Sequence, residues 1–185
     1  MTLPGRITTP RLVLRVADKG DAAALLPHFD NWGVIRWLTG PAWPVTLAGK
    51  QAFLADCSTL GPFLEEYRVI ERAGQAIGGI GWGYRRDKAA MAAGEPELGY
   101  WLGEAHWGQG IMGEAAQALV GAISTLPDVQ ALRSGVIVGN EASLRLQMRL
   151  GFSVCGQRRV MSNALGHEVD VIETRLALAG RAKAG

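Results

Sequence analysis

The sequence predicts a single domain with a mixed α/β (α+β) fold, in which helices flank one sheet. Segments that alternate polar and apolar residues, as strands do, are interspersed with segments whose apolar residues recur at helical spacing. The chain has 185 residues, of which 48% are hydrophobic and 19% are charged, and this composition suits one globular core. No internal repeat or linker divides the chain. We expect the domain to occupy residues 1–178 and residues 179–185 to form a flexible tail.

The first half of the chain predicts a strand, two helices and a pair of strands. Strand-like alternation, helical spacing and Gly- or Pro-rich breaks identify these elements in turn. They are a strand at residues 11–16, a helix at 21–29, a bent loop at 34–46, a helix at 47–60, two strands joined by a tight turn at 73–75 within 66–86, and a loose connection at 87–96.

The second half predicts two strand–helix pairs and a late hairpin. Pro127 ends the first of these helices, and Gly151 is a good C-terminal glycine for the second. The elements are a strand at residues 97–103, a helix from near Gly113 to before Pro127, a strand at 131–138, a helix after Asn140, and strands at 152–160 and 168–178.

Charge and apolar patterning argue against nucleic-acid partners and membrane insertion. The formal net charge is +2, and Lys and Arg are scattered along the chain. No apolar run is long enough to cross a bilayer, and the N-terminal residues lack the apolar core of a signal peptide, so we expect a cytoplasmic protein. Cys57 and Cys155 form no C-x-x-C pair and have no clustered His, so neither a disulfide framework nor a metal site is expected.

A glycine-rich stretch before a predicted helix is the strongest local signal. Gly108, Gly110 and Gly113 have the G-x-G-x-x-G spacing of a dinucleotide-binding turn. Free amides at a helix start attract phosphate, and glycine lets a ligand approach the backbone closely. NAD further requires an acid at the end of the next strand, whereas Asp128 lies before that strand and Asn140 follows it. A phosphate-binding loop for another ligand is favoured over NAD, and a purely structural turn stays open.

Three segments in this order resemble the GNAT superfamily of acyl-CoA-dependent N-acetyltransferases. They are "TPRLVLR" at residues 9–15, "ELGYWLGEAHWGQGIMGEA" at 97–115 and "GNEASLRLQMRLGF" at 139–152. They are most similar to the branch that contains the ribosomal-protein N-terminal (alanine/serine) acetyltransferases. The resemblance implies a splayed mixed sheet of six or seven strands flanked by about four helices. Coenzyme A would lie in the split between the strands at 97–102 and 131–138.

The resemblance implies acetyl-CoA as the co-substrate, with no metal. The backbone of Tyr100, Trp101 and Leu102 would carry the pantetheine and the acetyl group. Asn140 would tie its loop to the pantetheine or to the strand split, and a helix N-cap is the alternative role. The residues implied for the pyrophosphate are Trp107, Gly108, Gln109, Gly110, Ile111, Met112, Gly113 and Glu114.

Acetyl transfer to an amine needs a base that removes the proton of the amine. Glu97 opens the strand that would lead to the acetyl group, and we expect it to be this base. Glu95 is the second candidate. His106 titrates in a suitable range, but it lies beside the glycine-rich stretch, so a structural or surface role is favoured.

The leaving thiol needs a hydrogen-bond or proton donor. Many superfamily members place a tyrosine five residues before the Phe of Leu-Gly-Phe, and this chain has Gln147 there. The ribosomal-type branch places a serine early in the same helix, and Ser143 matches it. Its hydroxyl could contact the sulfur, or it could cap the helix. A catalytically idle acyl-CoA sensor is therefore the alternative to an active enzyme.

The acceptor side is expected in the first two helices and their loops. Trp32 and Trp37, with Trp43 nearby, could line a groove for the acceptor, or they could pack the helices onto the sheet. The expected partners are acetyl-CoA and an amine, either a peptide N-terminus or a small molecule. The resemblance is also compatible with a homodimer.

Overall fold

The computed structural model describes residues 3–59, 66–84 and 88–178. Within these residues eight strands form one sheet in the order β1-β2-β3-β4-β5-β6-β8-β7. Neighbouring strands are antiparallel except β5 and β6, which are parallel. The strands are β1 (Arg6–Thr8), β2 (Val13–Val16), β3 (Glu66–Arg72), β4 (Gln75–Gly83), β5 (Glu97–Leu102), β6 (Ala131–Ile137), β7 (Ser153–Ser162) and β8 (His167–Ala177).

The helices accompany this sheet in the order that the sequence predicts. Over the described residues they are α1 (Ala22–Phe29), α2 (Trp32–Ile35), α3 (Leu47–Thr59), α4 (Lys88–Ala93), α5 (Ile111–Ile123) and α6 (Glu141–Leu150). Four of them have eight or more residues, namely α1, α3, α5 and α6. The mixed α/β fold class is confirmed, and so is the late hairpin, since β7 and β8 pair antiparallel.

Three short elements differ from the sequence prediction. The sheet has one strand more than the upper number expected, because β1 has only three residues and shows no periodicity. The helix α2 overlaps the predicted loop at 34–46 and is initiated by Asn31, whose side chain accepts a hydrogen bond from the Gly33 amide. The helix α4 lies in the predicted loose connection, where alanines favour a helix. The predicted tail at 179–185 lies outside the described residues.

Buried side chains form two clusters on opposite faces of the sheet. Side chains alternate along a strand, so Leu102 joins the cluster under α5 while its neighbour Trp101 joins the cluster under α1 and α3. In α5, Ala115, Leu119 and Ile123 recur at helical spacing and are fully buried. β5 therefore contributes side chains to both layers, and this position makes it the centre of the cleft described next.

Candidate functional site

A cleft opens where β5 and β6 separate. These parallel strands share one registered pair, Glu97 with Arg133, and the Arg133 amide donates to the Pro96 carbonyl at 2.9 Å. Beyond this pair the strands diverge. The cleft has a volume of about 1200 Å³ and is lined by both strands, by the start of α5 and by α6. This divergence is the splayed sheet that the sequence predicts.

The glycine-rich stretch forms one end of the cleft. Gly108 and Gly110 both have a φ of 72°, in the left-handed region that favours glycine. Gly110 is the N-cap of α5, and the first bond of the helix joins the Glu114 amide to the Gly110 carbonyl. The amides of residues 111–113 consequently have no acceptor within the helix, and such amides bind anions. Together these features make a phosphate-sized cradle.

Arg11 lies just before β2 and supports this cradle. It was not predicted from the sequence. Its side chain donates to the Gln109 carbonyl at 2.9 Å and forms an ion pair with Glu114 at 2.6 Å. Glu114 also accepts from Thr9, so its carboxylate is engaged within the protein. The side chain of Gln109 bonds Arg72 and the Ala105 carbonyl. Neither Gln109 nor Glu114 lines the cleft; both instead hold the loop in shape.

The other residues implied for the donor line the cleft. Trp107 is exposed, and its indole N–H donates to the Leu102 carbonyl at 2.8 Å, which ties the loop to the end of β5. Asn140 is the N-cap of α6, because its side chain accepts from the Ser143 amide at 3.2 Å. The capping role that the sequence left open thus belongs to Asn140 rather than to Ser143. The donor-side residues in the lining are Tyr100, Trp101, Leu102, Trp107, Gly108, Gly110, Ile111, Met112, Gly113 and Asn140.

Two hydroxyl groups meet inside the cleft, one from each side of the split. The Tyr100 hydroxyl of β5 and the Ser143 hydroxyl of α6 are 2.8 Å apart. Gln147 donates to the Tyr100 oxygen at 3.2 Å, and either hydroxyl can be the donor in the bond between Tyr100 and Ser143. Burial raises the pKa of Tyr100, and its hydrogen bonds with Ser143 and Gln147 partly offset this rise.

Gln147 is buried and fully hydrogen-bonded. Its amide group donates to Ser134 at 2.8 Å as well as to Tyr100, and its oxygen accepts from Thr174 at 2.6 Å. Ser134 in turn donates to the Leu98 carbonyl at 2.9 Å. This network connects α6 with strands on both sides of the split. A buried amide with all its partners has a structural role here, and Tyr100 supplies a tyrosine hydroxyl close to α6.

The carboxylates proposed as base lie in different surroundings. Glu97 is half-buried and lines the cleft at the point where β5 and β6 separate. Glu95 lies outside the lining and accepts from Arg175 at 2.8 Å, with Arg133 at 3.7 Å. The geometry therefore favours Glu97 as the group that could meet an amine in the cleft.

His106 also lines the cleft, beside a second histidine. Its ring centroid is 5.5 Å from that of His28. Burial, followed by the charges of His28 and Arg72, lowers the pKa of His106. The imidazole is thus held neutral near neutral pH.

The tryptophans expected on the acceptor side divide into two groups. Trp37 lines the cleft and is stacked by Arg36 at 4.8 Å. Trp32 and Trp43 pack against each other with centroids 5.1 Å apart, are 41% and 47% exposed, and lie outside the lining. The cleft wall near α3 contains a further residue that was not predicted, Lys50.

The described residues contain neither a metal-binding cluster nor a membrane-spanning helix. Across the three described ranges, no group of three or more His, Cys, Asp or Glu residues could hold a metal ion. In the same part of the chain, no helix is both long and apolar enough to cross a membrane.

Comparisons with known proteins agree with this geometry. The family model described as acetyltransferase (GNAT) domain matches residues 11–153. The uncharacterized N-acetyltransferase p20 of Bacillus licheniformis is 27% identical over 165 residues, which cover 88% of this chain and 90% of the relative.

Solved structures share the fold at low identity. The ribosomal L7/L12 alpha-N-protein acetyltransferase RimL in complex with coenzyme A superposes with a TM-score of 0.80 at 21% identity, covering 93% of this chain and 97% of RimL. The microcin C7 self-immunity acetyltransferase MccE, in complex with acetyl-CoA and AMP, gives a TM-score of 0.77 at 19% identity, covering 91% of this chain and 93% of that one.

Proposed function

The chain belongs to the GNAT acetyltransferase family, and we propose that it transfers an acetyl group from acetyl-CoA to a primary amine by direct attack in a ternary complex. The observation that carries this proposal is the cleft between β5 and β6, with free helix amides at one end and paired hydroxyls at its centre. A nucleotide diphosphate suits the first feature. A polarised thioester suits the second.

The donor half of the cleft fits acetyl-CoA. The pyrophosphate would lie on the amides at the start of α5, near the positive end of the helix dipole. Arg11 donates to the Gln109 carbonyl and pairs with Glu114, so it would hold this loop in the shape that the pyrophosphate needs. The pantetheine would follow β5 over Tyr100–Leu102. These three residues have no registered partner in β6, because the pairing of the two strands is confined to Glu97. A backbone amide on this stretch would stabilise the carbonyl oxygen during attack.

The side chains at the centre of the cleft fit acyl transfer. The amine nitrogen bonds to the thioester carbon, the carbon–sulfur bond breaks, and coenzyme A leaves as a thiolate, which takes up the proton that the amine loses. Glu97 would accept the amine proton directly or through a water molecule. Ser143 would hydrogen-bond the sulfur, because its hydroxyl lies beside that of Tyr100 in the lining of the cleft. The cleft would hold both reactants, and this supplies the proximity that the reaction needs.

The acceptor is proposed to be a peptide N-terminus or a small-molecule amine. RimL, which shares this fold, acts on the ribosomal protein L7/L12, and a peptide with an N-terminal serine is therefore included as a candidate. Trp37 supplies an aromatic wall on the acceptor side. The acceptor class is developed further below, from the charges in that wall.

An acceptor screen tests the proposal. The protein is incubated with acetyl-CoA and a panel of peptides, polyamines, amino acids and aminoglycosides, and the release of free thiol is measured. We expect thiol release that depends on at least one amine and that is strongly reduced in Glu97→Gln. Thiol release that no amine increases would contradict an N-acetyltransferase.

A catalytically idle acyl-CoA sensor is the second candidate, and one observation favours it. Gln147 occupies the position of the superfamily tyrosine and is held in a structural network, so α6 itself offers no phenol to the thiol. The two functions separate in the same screen. Binding of acetyl-CoA without turnover of any amine supports the sensor, whereas turnover excludes it.

A further inference from the structure

Lys50 is a buried cation in the acceptor half of the cleft. It lies in the first turn of α3, its side chain is 2% exposed, and it contributes to the cleft lining. Among the described residues, its ammonium nitrogen has no hydrogen-bond partner. Lysine is rarely buried without a partner, since the charged form loses its hydration. A side chain that breaks this rule inside a cleft indicates a binding function.

Four aromatic rings surround the Lys50 nitrogen. The nitrogen lies 3.7 Å from the ring centre of Phe29 and 4.9 Å from that of Trp101. The corresponding distances are 5.2 Å for Phe53 and 5.8 Å for Tyr67. Phe29 packs edge-on against Trp101, and Phe53 packs edge-on against Tyr67, so the four rings form a box. The ring faces attract the cation but provide no hydrogen-bond acceptor.

Among the described residues, Cys57 and Tyr67 adjoin this box and are uncharged near neutral pH; the carboxylates of Asp21 and Asp56 affect these two groups but are not among the charges that affect the pKa of Lys50. Cys57 lies two turns further along α3, and burial raises the pKa of its thiol to about 11. Tyr67 on β3 is buried, and this burial raises the pKa of its phenol as well. Burial lowers the pKa of Lys50 itself to about 8. The ammonium therefore stays predominantly charged at neutral pH with no counter-ion among these neighbours.

We propose that Lys50 binds a carboxylate carried by the acceptor, so that the acceptor is an amine that also bears a carboxylate. The inference rests on the proposed function and specifies its substrate class. Lys50 and Trp101 belong to one box, and Trp101 lies on the strand proposed to hold the acetyl group. A molecule anchored by its carboxylate at Lys50 would therefore have its amine near β5.

A carboxylate suits this box better than a phosphate group. The box offers a single positive charge and no guanidinium among its walls. One carboxylate neutralises one ammonium, whereas a doubly charged phosphate would keep an unmatched charge in apolar surroundings. The carboxylate would enter the box past Phe53, because this wall of the box is 45% exposed and also lines the cleft. The Phe53 ring would move aside and let the carboxylate reach the Lys50 ammonium.

Equilibrium binding to the protein saturated with coenzyme A tests this inference. The probes are pairs of amines that differ in one carboxylate: L-amino acids against their amides, and the tripeptides Ser-Asp-Ala-amide against Ser-Asn-Ala-amide. The first pair tests a small amino acid and the second an acidic peptide. We expect at least one acid to bind about tenfold or more tightly than its neutral partner, which is the ratio that a partly buried ion pair gives.

The variant Lys50→Met removes the charge and keeps an unbranched apolar chain of similar length. We expect it to lose the preference for the acid while it retains affinity for acetyl-CoA. Lys19→Met, at an exposed lysine outside the cleft, is the matched control and should keep the preference. An absent preference in the unaltered protein, or one that survives in Lys50→Met, would overturn the inference.

The binding measurement separates this inference from the proposed function. If the acids bind through Lys50 but no amine is acetylated, the transferase proposal fails and the carboxylate site stands. If amines are acetylated with no preference for a carboxylate, the transferase proposal stands and the Lys50 site fails.

Discussion

Glu97 stands at the residue where β5 and β6 separate, and this position explains why it is proposed as the base. It lines the cleft, whereas Glu95 is held outside it by Arg175 and Arg133. Two carboxylates two residues apart in the sequence thus have different surroundings. Their relative merit as the base depends on which of the two lines the cleft.

Replacement of Glu97 by Gln should lower turnover and spare donor binding. We expect a loss of about 10²-fold or more in kcat, because a general base contributes at this level. Affinity for acetyl-CoA should change by less than about twofold, since only the chemical step is affected. Steady-state kinetics and equilibrium titration measure the two quantities. Equal or greater losses in Glu95→Gln would assign the base to Glu95 instead.

Replacement of Lys50 by Met should stabilise the protein, and by an amount that depends on pH. The pKa of Lys50 falls from 10.5 to about 8 on folding, so the folded state disfavours the charged form. The native protein should lose stability as the pH falls from about 10.5 to 8 and then level off. Below pH 8 the variant should therefore be more stable by on the order of 3 kcal/mol. Urea unfolding at pH 7 and pH 10 measures this difference.

A loss of stability in Lys50→Met would instead show that the aromatic box around the ammonium stabilises the protein. If Lys50→Met unfolds more easily at pH 7, cation–π attraction outweighs the cost of burial. Greater stability together with lost carboxylate binding would instead show that the residue is retained for binding at a cost in stability.

The start of α5 is the element that we propose binds the pyrophosphate of the donor. Gly108 and Gly110 adopt a positive φ, and this conformation turns the amides of the first helical turn toward the cleft. The ion pair between Arg11 and Glu114 holds the loop in place. The sequence motif indicates the turn, while the supporting pair comes from residues that are 103 positions apart.

Replacement of Gly110 by Val should weaken acetyl-CoA binding. A β-branched residue at a φ of 72° is strained, and such strain costs about 1–3 kcal/mol, so we expect roughly tenfold or weaker affinity. Gly121→Ala in the same helix is the control, because the added methyl group meets open space there. That variant should keep its affinity and gain stability. Unchanged affinity in a folded Gly110→Val protein would contradict the cradle.

At the scale of the whole molecule, two faces of one sheet would serve the two reactants of the proposed transfer. The layer with α5 and α6 holds the glycine loop and the hydroxyl pair, and the layer with α1 and α3 holds the lysine box. β5 joins them, because Tyr100 faces the first layer and Trp101 the second. The split between β5 and β6 is the place where groups from both faces can meet.

Acetyl-CoA should stabilise the whole domain, and NADH should not. A ligand at a concentration of 100 times its dissociation constant adds about 2.7 kcal/mol to the free energy of unfolding. For a chain of this size, that corresponds to a rise in Tm of roughly 5–10 °C. A thermal melt with each nucleotide at equal concentration measures the difference. Stabilisation by NADH alone would reinstate the dinucleotide interpretation of the glycine motif.

The sequence by itself determined the order of the long elements, the glycine-rich turn before α5 and the family. Periodicity and glycine spacing are local properties, so they can be read from neighbouring residues. The short elements β1, α2 and α4 were not predicted, because so few residues cannot show a periodic pattern. Lys50 left one local sign: with Phe53, Leu54 and Cys57 it occupies the apolar spacing of α3.

The tertiary structure decided which side chains meet. Tyr100 lies 43 positions from Ser143 and 47 from Gln147 along the chain, so only the folding of α6 against β5 brings these groups together. The box around Lys50 likewise combines α1, α3, β3 and β5. Contacts of this kind depend on packing between distant elements, and the burial that changes the pKa of a lysine arises only after those elements have packed.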